Sequence, residues 1–168
     1  ATANAVRLAG ANPVFAEIER DTYGLDPSSV RDSISPDTEA ILPVHVYGSV
    51  CKIDNLIEIA DEHDLSLIED TAEALGAHRD GEDAGTFGDA AALSFCQSKI
   101  IATGEGGAVV TDNQKIAERV KLFRSHGRAS SDYFSSSKSG RHVSVGSNLR
   151  MPDGSCDRAG LSRPESRR

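Results

Sequence analysis

Short apolar segments alternate with segments of helical periodicity along most of this chain. The predicted strands cover residues 12–19, 39–48, 65–72, 91–95 and 106–111, and the predicted helices cover residues 26–34, 52–64 and 112–127. In the helix at 52–64, for example, Ile53, Leu56, Ile57 and Ile59/Ala60 recur at helical spacing, with acidic residues between them. This alternation predicts an α/β domain built on a largely parallel sheet.

Charge and cysteine placement narrow the range of partners and compartments. The 168 residues hold 18 basic and 26 acidic side chains, a net charge of −8, which disfavours nucleic acid and anionic membranes as partners. The three cysteines, Cys51, Cys96 and Cys156, follow neither a disulfide framework nor a metal-binding spacing. The chain shows no apolar run of membrane-spanning length and no signal-peptide pattern, so we expect a cytoplasmic protein without a metal site.

Reactive side chains follow two of the predicted strands. Asp70 lies near the end of the strand at 65–72, whereas Ser94 and Lys99 come from the end of the strand at 91–95 and the turn beyond it. In open α/β sheets, ligands bind where the carboxyl ends of the strands and their loops converge. Taken alone, each residue has a structural explanation, because a lysine at a strand end reaches water and an aspartate there caps a helix or a turn.

An amine and a carboxylate at neighbouring strand ends are the pair that pyridoxal 5'-phosphate requires. The lysine forms a Schiff base with the cofactor, and the carboxylate keeps the pyridine nitrogen protonated, so that the ring can accept electrons from a carbanion. We therefore expect Lys99 to be the catalytic lysine and Asp70 to bind the cofactor.

Three glycines, at positions 104, 106 and 107, follow Lys99 closely and permit turns and close backbone approach. The stretch TGEGG resembles part of a dinucleotide fingerprint, which would make the chain a nicotinamide-binding domain. That fingerprint follows a strand and opens a helix, whereas these glycines precede a predicted strand. The pattern therefore disfavours the nicotinamide alternative.

Seven sequence motifs occur here in a characteristic order. They are ATANAVRLAGANPVF, ILPVHVYG, IEDTAEALGA, GTFGDAAALSF, SKIIATGEGGAVVTD, RSHG and VGSNLRMP. By these motifs the chain resembles the DegT/StrS family of pyridoxal-phosphate-dependent nucleotide-sugar aminotransferases, and in particular its perosamine-synthase-like members. The resemblance runs from residue 1 to about Asp153.

The resemblance implies the large-domain fold of aspartate aminotransferase, an α/β fold with a mixed, mostly parallel sheet and flanking helices. It also implies roles for single residues. Lys99 matches the Schiff-base lysine, which becomes the general base once released, and Asp70 matches the acid on the pyridine nitrogen. Glu73 matches a residue that contacts the ring hydroxyl, and Ser94 matches a serine that binds the cofactor phosphate. Asn148 matches an asparagine that reaches the phosphate of the other subunit's cofactor, which implies a homodimer.

The activity that the resemblance implies is transamination of a nucleotide-linked keto-sugar, with glutamate as the amino donor, in the biosynthesis of surface polysaccharide or glycan sugars. Some relatives with this fold carry histidine in place of the lysine and dehydrate sugars instead, so the presence of Lys99 favours transamination. An inactive, truncated or frameshifted remnant of such an enzyme is the alternative.

The resemblance also predicts the organisation of the chain. Residues 1–153 match part of the cofactor-binding large domain, whereas the N-terminal segment and the C-terminal small domain of such enzymes have no counterpart here. Residues 154–168 are expected to be an aberrant, disordered tail. Back-translation of residues 153–161 in a shifted frame can produce Met-x-Ala-Ala-Ile-Gly-Leu-Ala, which continues the family pattern, so we interpret the tail as the product of a frameshift.

Overall fold

The computed structural model describes residues 1–125 and the backbone of residues 142–145. Two expectations from the sequence concern residues outside this range. They are the phosphate-binding role of Asn148 and the aberrant tail at 154–168.

A five-stranded mixed sheet forms the centre of the described structure. Its strands are β1 (Ala40–Ile41), β2 (Ser66–Asp70), β5 (Ala90–Ser94), β6 (Gly107–Thr111) and β7 (His142–Val145), in the spatial order β1-β2-β5-β6-β7. Strand β2 pairs in parallel with β1 and β5, whereas β6 pairs antiparallel with β5 and β7. Two short strands, β3 (His78–Arg79) and β4 (Glu82–Asp83), form a separate hairpin. The mixed α/β sheet expected from the sequence is confirmed.

Helices accompany the sheet, and their ends follow from local sequence signals. The described residues form α1 (Thr2–Leu8), α2 (Pro27–Ser33), α3 (Ile53–Glu62) and α4 (Gln114–Arg124). The carboxylate of Asp26 accepts the Ser28 N–H at 2.8 Å and caps α2, and Pro27 is the first residue of that helix, as predicted. The side chain of Asn113 caps α4 in the same manner. None of the helices in residues 1–125 combines the length and the apolar composition needed to cross a membrane.

The hydrophobic core lies between α3 and the parallel strands. The side chains of Ile53, Leu56 and Ile59 on one face of α3 are completely buried, as is Leu67 in the middle of β2. Burying a side chain of this size contributes about 1.5–3 kcal/mol, so these residues hold α3 against the sheet. The helical spacing of apolar residues in the sequence identified this face correctly.

Residues 12–19, predicted as a strand, do not form one. Within them only Ile18 makes a bridge, to Leu25, and the side chains of Val14 and Phe15 are exposed. The apolar run has the composition of a strand, but a strand requires a neighbour with which to form a ladder. No described strand lies beside residues 12–17, so the segment is not part of a sheet.

The predicted strand at 39–48 is much shorter in the structure, where β1 covers two residues. Pro43 has no N–H and cannot continue the ladder as a donor. Its carbonyl oxygen still accepts the Asp70 N–H at 2.8 Å, and Val44 makes an isolated parallel bridge to Asp70. A one-turn 3₁₀ helix, Val46–Gly48, follows and carries Tyr47 with a φ of 54°.

A buried carboxylate organises the turn after residue 18. Glu19 accepts the backbone N–H groups of Asp21 and Thr22, each at 2.8 Å, and the Thr22 hydroxyl, and it lies 3.1 Å from the Lys52 ammonium. These contacts lower the pKa of Glu19 to about 2. The hydrogen bond from the Thr22 hydroxyl has the largest effect, the backbone donors and Lys52 add to it, and burial opposes them. The ionised carboxylate therefore stabilises the folded turn.

Replacement of Glu19 by Gln should destabilise the protein in a pH-dependent way. The pKa of Glu19 is lowered from 4.5 to about 2 on folding, so its contribution is complete above pH 4.5 and is lost as the pH falls towards 2. Urea unfolding should show Glu19→Gln less stable than wild type at pH 7, with the difference shrinking between pH 4.5 and 2. The exposed Glu17→Gln variant is the control. A difference that is constant over this range would contradict the assignment.

Candidate active site

The carboxyl ends of two adjacent parallel strands bring the predicted residues to one edge of the sheet. Asp70 is the last residue of β2, and its Cα lies opposite that of Ala92 in β5. Ser94, two residues further along, is the last residue of β5. Both side chains therefore emerge at the edge where ligands bind in α/β sheets.

Lys99 lies in the segment between β5 and β6, and backbone hydrogen bonds close this segment at its base. The N–H of Phe95 donates to the Gly106 carbonyl at 2.9 Å, and that of Thr103 donates to the Phe95 carbonyl at 3.0 Å. Within the segment, the N–H of Lys99 itself donates to the Cys96 carbonyl at 3.0 Å. These bonds fix the backbone from which the amine extends.

Gly107 allows the two sides of this segment to approach each other. It pairs with Ser94 in the antiparallel ladder between β5 and β6. A Cβ atom at position 107 would lie 2.6 Å from the Leu93 carbonyl oxygen, closer than such atoms can approach. The glycine is therefore required by close packing of backbone against backbone.

The Lys99 amine forms an ion pair with a carboxylate from the turn that follows β2. Its Nζ lies 3.0 Å from Oε1 of Glu73, and the other oxygen of Glu73 accepts the Tyr47 N–H at 3.2 Å. The hydrogen bond from Lys99 is the main cause of a lowered pKa of Glu73, and the Tyr47 N–H adds to it. Glu73 is thus held ionised, and the amine is held at a defined position with 23% of its side chain exposed.

The carboxylate of Asp70 is oriented by two donors. Its Oδ1 accepts the Ala72 N–H at 3.1 Å, and its Oδ2 accepts the Thr2 hydroxyl at 2.6 Å. Among the ion pairs of residues 1–125, none involves Asp70. The partly buried carboxylate therefore keeps an unneutralised charge and free lone pairs for a cationic donor.

Ser94 presents a hydroxyl whose oxygen accepts the Cys96 N–H at 3.3 Å. This bond uses the oxygen lone pair, so the hydroxyl proton remains able to donate to an anion. Of the residues expected from the sequence, the structure brings Lys99 and Glu73 into contact and places Asp70 and Ser94 at adjacent strand ends. Asn148 lies outside the described residues.

Sequence reasoning missed a buried network directly behind the site. Glu69, which precedes Asp70 and is completely buried, accepts the N–H groups of Gly85 at 2.7 Å, Phe87 at 2.8 Å and Gly88 at 2.7 Å. It also lies 3.0 Å from Nε2 of the equally buried His45. The available signal was the spacing of Glu69 in the strand LSLIED, where alternation places it on the same face as the apolar Leu67.

The protonation of this network follows from its geometry. The Cys51 N–H donates to Nδ1 of His45 at 3.2 Å, so Nδ1 carries no proton, and the ring proton is on Nε2, where it is donated to Glu69. The charge of Glu69 is therefore stabilised by four N–H donors rather than by a cation. Burial raises the pKa of the adjacent Cys51 thiol to about 12, so this thiol is not a nucleophile.

The donor set at the strand ends fits an anionic aldehyde cofactor with a basic ring nitrogen. It offers an accessible amine, Lys99, for the aldehyde carbon, a carboxylate without a cation, Asp70, for a protonated ring nitrogen, and a hydroxyl, Ser94, for a phosphate. Among the described residues, no group of His, Cys, Asp and Glu side chains could hold a metal ion.

Comparison with known proteins gives a consistent result. The sequence model of the DegT/DnrJ/EryC1/StrS aminotransferase family matches residues 1–160. A GDP-perosamine synthase of Caulobacter vibrioides is 43% identical over 127 residues, which cover 76% of this chain and 34% of that protein. The chain thus spans about a third of the length of such curated relatives.

Solved structures share the fold. The structure of DesI in the presence of its TDP-sugar product is 44% identical with a TM-score of 0.73, covering 76% of this chain and 33% of DesI. The Escherichia coli GDP-4-keto-6-deoxy-D-mannose-3-dehydratase with bound hydrated PLP is 35% identical with a TM-score of 0.63, covering 67% of this chain and 29% of the dehydratase.

Replacement of Glu69 by Gln should destabilise the protein by about 3–5 kcal/mol, the cost of breaking a buried polar network by removing one partner. Each carboxylate oxygen of Glu69 faces two donors, so the amide keeps one oxygen for two of them, and its NH₂ group would face the other two. Urea unfolding of Glu69→Gln, with the exposed Glu39→Gln as control, measures this cost. A change in stability no larger than that of Glu39→Gln would show that the network does not hold the fold.

Proposed function

The chain belongs to the DegT/DnrJ/EryC1/StrS aminotransferase family, and on that premise we propose that it acts as a pyridoxal-phosphate-dependent aminotransferase of a nucleotide-linked keto-sugar. The observation that carries the proposal is the half-buried amine of Lys99, held 3.0 Å from Glu73 at the carboxyl edge of the sheet. An amine at this position is the group that a transaminase needs for covalent attachment of its cofactor.

The cofactor of this family is pyridoxal 5'-phosphate, and the described residues fit it. We assign the aldehyde to Lys99, the ring nitrogen to Asp70, the ring hydroxyl to Glu73 and the phosphate to Ser94. The bound cofactor supplies an electron sink that stabilises negative charge on the substrate carbon. Asn148, which lies outside the described residues, is proposed to reach the phosphate of the other subunit's cofactor.

Lys99 has two tasks in this proposal. Its Nζ attaches the cofactor and, once displaced by the amino group of the substrate, moves a proton to and from the reacting carbon. The ion pair with Glu73 holds the amine close to one place in both tasks, because the second oxygen of Glu73 is anchored on the Tyr47 N–H. Glu73 is therefore both a cofactor contact and a support for the amine.

Asp70 controls the charge of the cofactor ring. Its carboxylate is not neutralised by a cation among the described side chains, so it can stabilise a protonated ring nitrogen. The two hydrogen bonds to Asp70 hold the carboxylate in one orientation, which is required if the charge is to act on a single ring atom.

The proposed substrate class and oligomeric state come from the relatives of this chain. GDP-perosamine synthases from three organisms are among the relatives, and the DesI structure was obtained in the presence of a TDP-sugar product. We propose a nucleotide-linked keto-sugar as amino acceptor, glutamate as amino donor, and a role in surface polysaccharide or glycan sugar synthesis. A cytoplasmic homodimer is proposed as the working form, with neither nucleic acid nor membrane as a partner.

Replacement of Lys99 by Ala should abolish covalent attachment of the cofactor. Purified wild-type protein with added pyridoxal 5'-phosphate should show absorbance near the visible edge and a borohydride-trapped mass increase, whereas Lys99→Ala should show neither. The exposed Lys115→Ala variant should behave as wild type. Equal trapping in Lys99→Ala and wild type would overturn the assignment of Lys99. Absence of the trapped adduct from wild type would favour the alternative, an inactive, truncated or frameshifted remnant of such an enzyme.

Replacement of Asp70 by Asn should leave cofactor attachment intact but slow the reaction with the amino donor by about 100-fold or more, the effect expected from loss of one preorganised electrostatic contact. The loss of visible absorbance after addition of glutamate measures this rate. The exposed Asp37→Asn variant is the matched control. Wild-type rates in Asp70→Asn would refute the role assigned to this carboxylate.

A further inference from the structure

A hydroxyl from the first helix reaches the carboxylate at the end of β2. Thr2 is the first residue of α1, and its Oγ1 donates to Oδ2 of Asp70 at 2.6 Å across 68 positions of sequence. This is the length of a hydrogen bond to an ionised acceptor. We infer that Thr2 is a positioning residue for Asp70, which it orients towards the ring nitrogen of the cofactor.

The position of Thr2 supports a role beyond helix capping. Threonine near a helix start usually bonds to the backbone of its own helix. Here the Thr2 hydroxyl donates instead to another element of the fold, the Asp70 carboxylate at the end of β2.

The two donors on Asp70 have complementary effects. The Ala72 N–H binds Oδ1 and lies two residues after Asp70 in the same segment, so the two residues move together. Thr2 binds Oδ2 from a different element, so its hydroxyl adds a second restraint on rotation of the carboxylate and fixes it relative to α1. The lone pairs that remain point away from both donors and are available to the ring nitrogen.

This inference rests on the proposed function, because it presumes that Asp70 meets the cofactor. Thr2→Val retains the shape of the side chain and removes the hydroxyl, whereas Thr2→Ser retains the hydroxyl and removes the methyl group. Thr38→Val is the matched control, since the Thr38 hydroxyl bonds within its own turn, to Ser35. Circular dichroism of the three variants checks that each is folded.

The experiment measures two properties of the 168-residue protein with pyridoxal 5'-phosphate that is isotopically labelled at its ring nitrogen. The first is the dissociation constant of the cofactor, and the second is the pH midpoint at which the nitrogen resonance reports loss of the ring proton. Loss of one charge-assisted hydrogen bond should weaken binding about tenfold in Thr2→Val. The pH midpoint should be lower by about one unit, because a less well oriented carboxylate holds the ring proton less strongly.

The variants separate the possible outcomes. Wild-type values in Thr2→Ser and Thr38→Val, with both changes in Thr2→Val, support the inference. Unchanged values in Thr2→Val, or equal changes in Thr2→Val and Thr2→Ser, overturn it while leaving the proposed function intact. Absence of the adduct in wild type, or its persistence in Lys99→Ala, overturns the proposed function and this inference with it.

Discussion

The buried carboxylate of Glu69 is the interaction on which the arrangement of the site depends. An ionised carboxylate without water carries a large desolvation cost, which only a complete set of donors offsets. Three backbone N–H groups from the turn at 85–88 and the ring of His45 supply that set. Gly88 lies so close to β2 that a Cβ there would come within 2.4 Å of the Leu67 carbonyl oxygen. The network therefore binds two separate segments, the turn at 85–88 and the chain at His45, to one strand.

The Glu69 network also affects the candidate active site, because successive residues of a strand face opposite sides of the sheet. Glu69 points into the protein and Asp70, its neighbour, receives the Thr2 hydroxyl at the sheet edge. His45 carries the network into the 46–48 turn, whose Tyr47 N–H holds Glu73 beside Lys99. Tyr47 has a left-handed backbone at φ 54°, a conformation that surrounding contacts must maintain. The buried acid Glu69 thus supports the turn that holds Glu73 beside Lys99.

The sequence predicted those parts of the structure that local signals determine. The apolar spacing of α3, the Asp26 cap of α2 and the strands that end at Asp70 and Ser94 were all identified, because each depends on residues a few positions apart. The contacts Thr2–Asp70 and His45–Glu69 join residues 68 and 24 positions apart, and no local pattern reveals them. The segment at 12–19 shows the converse error, since an apolar run predicts a strand without indicating whether a partner strand exists.

The central claim, that the two strand ends and the loop beyond them form one cofactor site, is tested most directly by a crystal structure of the protein grown with pyridoxal 5'-phosphate. The account predicts electron density continuous from the Lys99 amine to the cofactor, with the Asp70 carboxylate at the ring nitrogen and the Thr2 hydroxyl still on Asp70. Cofactor bound at another surface, or density at Lys99 with Asp70 turned away from the ring, would contradict it.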